Sequence, residues 1–164
     1  YLETAEKDWR WFEQGLTYSN SKLSESLFYA YSSTKKKSYL TIAEKSLAFL
    51  IDITFEHGYF SPIGQNGWYL RSGKRAYFDQ QPEDASSMVE TLGAAWHATG
   101  KEQYRKLALT TFQWFLGKNH LNQMVYDEVT GGCYDGLGQH TLNLNQGAES
   151  TISYLLARLA LDEL

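Results

Sequence analysis

Acidic side chains with the potential for acid–base chemistry recur along this sequence next to a serine or threonine, at Glu25, Glu90 and Glu149. If the helices that carry them share one axis, these carboxylates approach a common cavity. Several carboxylates in one cleft can act as general acid and general base on a glycosidic bond, because one is kept protonated while another stays ionised. The alternative is that Glu25 and Glu90 are solvated residues on a helix face. The candidate catalytic residues are Asp79, Glu90 and Glu149.

Carboxamides and carboxylates also precede two predicted helices. Asp79 or Gln81 could cap the helix that begins at Pro82, or present a polar group at the rim of a cavity. Carboxamides donate and accept hydrogen bonds together, which suits vicinal sugar hydroxyls, and exposed aromatic rings could stack on a sugar, although loop aromatics more often fill a core. The candidate substrate-binding residues are Tyr18, Trp68, Gln80, Gln81, Tyr134, Asp135, Asn143, Asn145 and Gln146.

Other kinds of chemistry find little support in the sequence. Cys133 is the only cysteine, which excludes an internal disulfide and a cysteine metal cluster and suits a reducing, cytoplasmic location. The four histidines lack metal-ligand spacing, and Asp127 and Asp135 do not match a calcium loop, so we expect no metal and no cofactor. A net charge of −4 argues against a nucleic-acid partner, and no apolar run of about 20 residues predicts a membrane partner.

Helical periodicity predicts the elements that position these groups. A further helix is predicted over about 4–14, and Gly100 is a natural left-handed cap for the helix that begins at Pro82. Helices are also predicted over about 22–34, 39–50, 82–99, 104–116 and 152–159.

An internal repeat organises these helices into hairpins. Shifting the sequence by 65 positions superposes Leu23 on Met88 and Leu27 on Leu92, and places tight turns at Thr34 and Thr99. A third, partial copy begins near Gln146. The repeat predicts an all-α fold of antiparallel helical hairpins. We take the stripe through Leu23 and Leu27 as the face that meets the partner helix, which places Glu25 on the opposite face, toward the cavity.

Two long connections separate the hairpins, at about 56–81 and 119–145, and both mix glycine with aromatic and carboxamide residues. Loops of this length in a compact domain are usually functional or disordered, and their aromatic content argues against disorder. We expect short strands only in these two loops, in fewer than about a tenth of the residues. Both loops lead into helix N-termini, so Asp79, Tyr134 and Asn145 should lie at one end of the array.

Several segments also resemble a known group of domains. They are Trp11-Phe12-Glu13, Leu16-Thr17-Tyr18, Phe60-Ser61-Pro62-Ile63-Gly64, Phe78-Asp79-Gln80-Gln81-Pro82, Thr130 to Leu137 and Asn143 to Thr151. Together they resemble a bacterial helical domain that is often attached to, or encoded near, glycosyltransferases, and that is similar to the six-hairpin (α/α) toroid glycosidases. The resemblance implies a toroid and a carbohydrate ligand. It does not imply one reaction, because the fold hosts several.

The chain holds about three hairpins rather than six. Residues 1–164 are therefore expected to form a single domain, a partial toroid that is a fragment or half of a larger ring. The missing half, another copy or a linked glycosyltransferase is the expected protein partner. Three functions stay open: a glycosidase-like or epimerase-like enzyme domain, a non-catalytic sugar-binding module of a glycosyltransferase, and a purely structural hairpin array.

Overall fold

The computed structural model describes residues 1–164, and its architecture is helical. Five helices form two complete hairpins and the first helix of a third. They are α1 (Ser21–Thr34), α2 (Lys37–Thr54), α3 (Pro82–Thr99), α4 (Glu102–Phe112) and α5 (Ala148–Asp162). Four strands of two residues each are β1 (Gly15–Leu16), β2 (Tyr69–Leu70), β3 (Gly136–Leu137) and β4 (Leu142–Asn143). The predicted all-α class and the low strand content are confirmed.

Equivalent hydrogen bonds occur in the two hairpin turns, 65 residues apart. The Thr34 hydroxyl donates to the carbonyl of Ala30 at 2.6 Å, and the Thr99 hydroxyl donates to the carbonyl of Ala95 at 2.7 Å. Each helix then ends in a left-handed residue, Lys35 with φ 57° and Gly100 with φ 70°. Only glycine adopts that conformation without steric cost, so Gly100 is the better cap.

The first helices of the hairpins, α1, α3 and α5, lie side by side, and α2 and α4 pack behind α1 and α3. Helices α1 and α3 run in the same direction, because Ser19, just before α1, contacts Asp84, and Glu25 contacts Thr91 further along both helices. A single core of 25 buried residues joins the layers. No helix is both long enough and apolar enough to cross a membrane.

The prediction of which face of α1 packs against its partner helix is wrong. Leu23 is 40% exposed, whereas Ser24, Glu25 and Phe28 are buried. The hydroxyls of Ser24 and Ser46 lie 2.8 Å apart, so two small polar residues contribute to the contact between α1 and α2. Glu25 faces α3 rather than a cavity, and its charge is compensated by Lys22 at 2.8 Å.

The predicted helix over 4–14 does not form either. Trp9 and Trp11 are both buried, and both indoles lie near the Phe49 ring, with centroids at 5.2 and 6.4 Å. Residues two apart in a helix point in nearly opposite directions, so an irregular backbone is needed to bury both. A strand also lies outside the two long loops, since Gly15 of β1 pairs with Leu70 of β2. Helix α4 stops at Phe112, short of the predicted 116.

Helix α5 has no helix behind it. Four apolar side chains of α5 at helical spacing are exposed, Ile152, Leu155, Leu156 and Leu159, and the last two border an open cavity beside α3. In the first two hairpins, the equivalent second helix packs against the first. Within residues 1–164, the third repeat therefore contributes one helix where the first two contribute two.

Candidate functional site

The two long loops meet in front of the N-termini of the inner helices. Gln80 and Leu137 exchange both backbone hydrogen bonds, at 2.9 and 2.8 Å, and β3 then pairs with β4. The predicted convergence of the loops is confirmed. They enclose an open groove of about 550 Å³ with one apolar side chain, Leu142. The polar side chains that line this groove belong to Gln65, Asp79, Gln81, Asp135, Thr141 and Asn143, and Gln80 also borders it.

The first loop folds back on itself at Gly64. A Cβ atom at this position would overlap the backbone of Phe78, so only glycine allows the two segments to approach. The amide of Gln65 then donates to the carbonyl of Asp79 at 3.0 Å. As a result, the Gln81 amide donates to the Gln65 side chain, and two carboxamides stand together beside the exposed carboxylate of Asp79.

The second loop is tied to the start of α5 by Asp135. Its carboxylate accepts hydrogen bonds from the Gly147 amide and the Ser150 hydroxyl, both at 2.7 Å. A Cβ atom at Gly147 would lie only 2.8 Å from this carboxylate, so the glycine permits the approach. Asp135 thus satisfies the N-terminus of α5 and leaves its other oxygen for the groove.

Three other predicted residues of this loop hold its shape. Gln146 donates to the Asp127 carboxylate at 2.9 Å, and the Tyr134 hydroxyl lies 3.4 Å from the same carboxylate. The Val129 amide, with Gln146 and Thr130, lowers the pKa of Asp127. The Asn145 carbonyl accepts the Asp135 amide at 2.8 Å, and its side chain is exposed beside the groove.

Gln80 lies under the groove rather than in it. The side chain is 2% exposed, and its amide nitrogen donates to the Tyr77 carbonyl at 3.0 Å and the Ser61 hydroxyl at 3.2 Å. Its amide oxygen accepts the Trp114 indole N–H at 2.8 Å. The side chain is therefore committed to the fold, and Gln80 reaches the groove through its backbone.

The three candidate catalytic carboxylates do not form one cluster. Asp79 lies in the groove, and Glu149 is exposed at the start of α5. Glu90 lies further along α3, where Lys22 Nζ bridges it to Glu25 at 2.8 Å in each contact. The Ser86 hydroxyl also donates to Glu90 at 3.1 Å. Glu90 is therefore part of an ion-pair network that joins α1 to α3.

Two further carboxyl groups, Glu83 and Asp84, lie at the start of α3 and are not among the candidate catalytic residues. The Ser19 amide donates to Asp84 at 2.9 Å, and the Ser19 hydroxyl donates to Glu83. Burial raises the pKa of Glu83, and the nearby Glu149 carboxylate raises it further. The Glu83 Oε2 atom is buried without a partner.

Tyr18 and Trp68 lie apart from the groove as a stacked pair. Their ring centroids are 6.1 Å apart at an interplanar angle of 29°, and Tyr18 is 56% exposed. Trp68 adopts a left-handed backbone with φ 58°, which is unusual for a bulky residue. Gln65 and Thr141, which the sequence analysis missed, are part of the groove. The only signal for Gln65 is its place after Gly64.

Burial raises the pKa of Asp84 well above its usual value, and the adjacent Glu83 adds to the effect. The folded state therefore holds this proton more tightly than the unfolded state, and stability falls as the pH rises above the unfolded pKa toward the folded one. We expect Asp84→Asn, which can still accept the Ser19 amide, to flatten this decline above about pH 4. Urea unfolding across that range measures it. Asp8→Asn, at an exposed carboxylate, is the control, and equal profiles for Asp84→Asn and the unmodified protein would contradict the expectation.

No protein-family profile matches the sequence, and no curated protein is detectably similar to it. Among solved structures, the fold is similar to that of a family 76 glycoside hydrolase, described as a mannosidase, from Bacteroides thetaiotaomicron. The two share 19% sequence identity with a TM-score of 0.64, over 88% of this chain and 38% of that chain. The similarity shows that this chain has the fold of a partial α/α toroid. It spans less than half the length of that hydrolase.

Proposed function

We propose that this chain is a carbohydrate-active toroid domain of the glycoside hydrolase type, which holds a sugar in the groove between its two long loops. The observation that carries the proposal is the composition of the groove. Carboxylates, carboxamides and a hydroxyl from both loops converge there with a single apolar side chain. Such a set of donors and acceptors matches a ligand covered with hydroxyl groups. The toroid fold shared with a mannosidase favours mannosides as the first sugars to test.

Each side of the groove supplies a distinct part of the recognition. The Asp79 carboxylate accepts hydrogen bonds from sugar hydroxyls, and the free oxygen of Asp135 does the same from the opposite loop. The paired carboxamides of Gln65 and Gln81 both donate and accept, as does Asn143. Polar contacts from two loops fix the orientation of a ligand better than contacts from one.

Hydrolysis of a glycosidic bond needs a proton donor and a second carboxylate. Glu83 is suited to the role of proton donor, because a carboxyl group whose pKa is raised by burial keeps its proton at higher pH. Glu149, exposed beside it, and Asp79 in the groove are the candidates for the second carboxylate. Neither Glu83 nor Glu149 lines the groove, so this scheme requires a ligand that extends from the groove to the starts of α3 and α5. There Glu83 protonates the leaving oxygen while the second carboxylate activates water or attacks the sugar. Glu90 stays a weaker candidate, since Lys22 pairs with it.

The second candidate function is a non-catalytic sugar-binding module that serves a linked glycosyltransferase. One observation favours it: the chain spans only 38% of the hydrolase that shares its fold, so the remainder of a catalytic cleft would have to come from the missing half or another chain. Sugar binding without turnover would distinguish this module from an enzyme. A reducing location such as the cytoplasm is compatible with the single free thiol of Cys133. Burial raises the pKa of this thiol to about 12, which keeps it protonated and unreactive.

Two substitutions in the groove test the sugar site. We expect Asp79→Asn and Gln81→Ala each to weaken binding of manno-oligosaccharides by about tenfold, because each removes hydrogen bonds to hydroxyls worth about 1–1.5 kcal/mol. Isothermal titration calorimetry measures the affinity. The melting temperature should stay unchanged, because Asp79 is exposed and Gln81 is only partly buried.

Asn66→Ala is the matched control, since Asn66 is an exposed carboxamide on the same loop that does not line the groove. Gluco- and galacto-oligosaccharides provide the comparison ligands. Unchanged affinity in both groove variants would place the sugar elsewhere. An absence of binding to every sugar by the unmodified protein would favour the structural hairpin array.

A further inference from the structure

We propose that a second sugar-binding site lies next to the groove, in a cleft lined by aromatic rings, and that it takes the adjoining units of an oligosaccharide whose end lies in the groove. The inference rests on the proposed function and extends it from a single sugar to a chain. The aromatic cleft is lined by His57, Tyr59, Ser61, Tyr77, Phe78 and His120, together with Gln80, and encloses about 600 Å³.

The rings in the aromatic cleft form a loosely packed, partly exposed cluster. The His57 centroid lies 5.9 Å from that of Tyr59 and 6.2 Å from that of Tyr77, at interplanar angles of 34° and 40°. Tyr77 is 37% exposed, and His57 is exposed as well. Exposed aromatic faces with polar edges match a sugar ring, whose C–H face is apolar and whose rim carries hydroxyls.

One ring is held rigidly from behind. The Arg75 guanidinium carbon lies 4.5 Å from the centre of the Tyr77 ring. That guanidinium is itself fixed by the Glu56 carboxylate at 2.6 Å and by the carbonyls of Ile53 and Ser61. A ring that is already immobilised loses little entropy when a ligand stacks on it, which favours binding.

The aromatic cleft and the groove share one wall. Tyr77 and Phe78 line the cleft, Asp79 and Gln81 line the groove, and Gln80 contributes to both. On the far side, the His120 ring packs on Phe78 with centroids 5.0 Å apart, and its Nε2 lies 3.0 Å from the carbonyl of Gly138, a groove residue. A single extended segment therefore separates the two cavities. A linear ligand that leaves the groove over this segment enters the aromatic cleft.

The dependence of affinity on ligand length tests the proposal. We measure binding of mannose and of linear manno-oligosaccharides of up to six units by calorimetry. The unmodified protein should bind the longer ligands more tightly than mannose. Tyr59→Ala should weaken binding of the longer ligands about tenfold and leave mannose binding unchanged, because one stacking contact is lost. His57→Ala, at an exposed side chain, should act in the same direction and guards against misfolding of the first variant.

Tyr29→Ala is the matched control, because Tyr29 is a 58% exposed tyrosine on α1 that lines neither cavity. If Tyr59→Ala and His57→Ala fold normally and keep the full gain in affinity with length, the second site is wrong, whereas the groove stands if Asp79→Asn still loses binding. If the Tyr59 variant loses affinity while Asp79→Asn does not, the cleft binds sugar and the groove assignment fails. If no ligand binds to the unmodified protein, both proposals are wrong.

Discussion

Replacing Trp114 with alanine is expected to lower the free energy of unfolding by about 3–5 kcal/mol, because the change leaves a large cavity in the core. The indole is fully buried and packs edge-on against Phe115, with centroids 5.3 Å apart. Its N–H donates to the buried Gln80 amide oxygen, which would lose its partner. The loss therefore combines missing packing with an unsatisfied polar group.

Denaturation by guanidinium chloride, followed by far-UV circular dichroism, measures this loss. Trp114→Phe separates its two causes, since phenylalanine fills much of the volume but cannot donate to Gln80, and we expect a loss of about 1–3 kcal/mol. Trp68→Ala serves as the control, because Trp68 is only partly buried. A loss below about 1 kcal/mol in Trp114→Ala would show that Gln80 is not supported by this indole.

Turnover should fall by about a hundredfold to ten-thousandfold in Glu83→Gln, whereas sugar affinity should stay within about twofold. Glutamine keeps the shape of the side chain and can still accept from Ser19, but it carries no transferable proton. A general acid works only while protonated, so activity of the unmodified protein should decline as the pH rises through the raised pKa of Glu83. The variant should lack this decline.

Release of mannose from manno-oligosaccharides by the full-length protein, followed across pH, provides the measurement. Glu149→Gln should show a comparable fall if Glu149 is the second carboxylate. Glu90→Gln is the comparison at an ion-paired position, and its effect should appear in stability before it appears in turnover. Undiminished turnover and an unchanged pH profile in Glu83→Gln would remove Glu83 from the mechanism.

The hairpins could be predicted from the sequence because their signals are local. Thr34 and Thr99 mark the helix ends, and the residues that follow supply the left-handed caps, so a repeat of 65 positions locates both turns. The buried face of α1 could not be predicted in the same way. It depends on Ser46 in another helix, and on Lys22, which makes burial of Glu25 tolerable. Both are tertiary effects that override the apolar pattern.

The candidate site shows the same division. The alternation of helix direction was enough to predict that Asp79 and Asn145 lie at one end. The commitment of Gln80 to the fold depends on Trp114, which is 34 residues away, and the burial of Glu83 depends on Ser19, which is 64 residues away. Neither pairing leaves a periodic signal. From the sequence alone, a polar residue in a loop is interpreted as a ligand-binding residue, because the hydrogen-bond partner of its side chain is not known.

The limited packing of α5 has a consequence for the groove. Local opening costs least where few buried contacts hold an element, and α5 rests mainly on α3 while its outer face meets solvent. Asp135 belongs to the groove and is bonded to Gly147 and Ser150 at the start of that helix. Local unfolding of the first turn of α5 therefore also frees Asp135, which forms one wall of the groove. Opening of that turn and ligand binding in the groove are thermodynamically linked. A ligand held by Asp135 therefore slows hydrogen exchange of the amide protons in the first turn of α5. For the same reason, a helix that packs on α5 raises the affinity for the ligand without touching it.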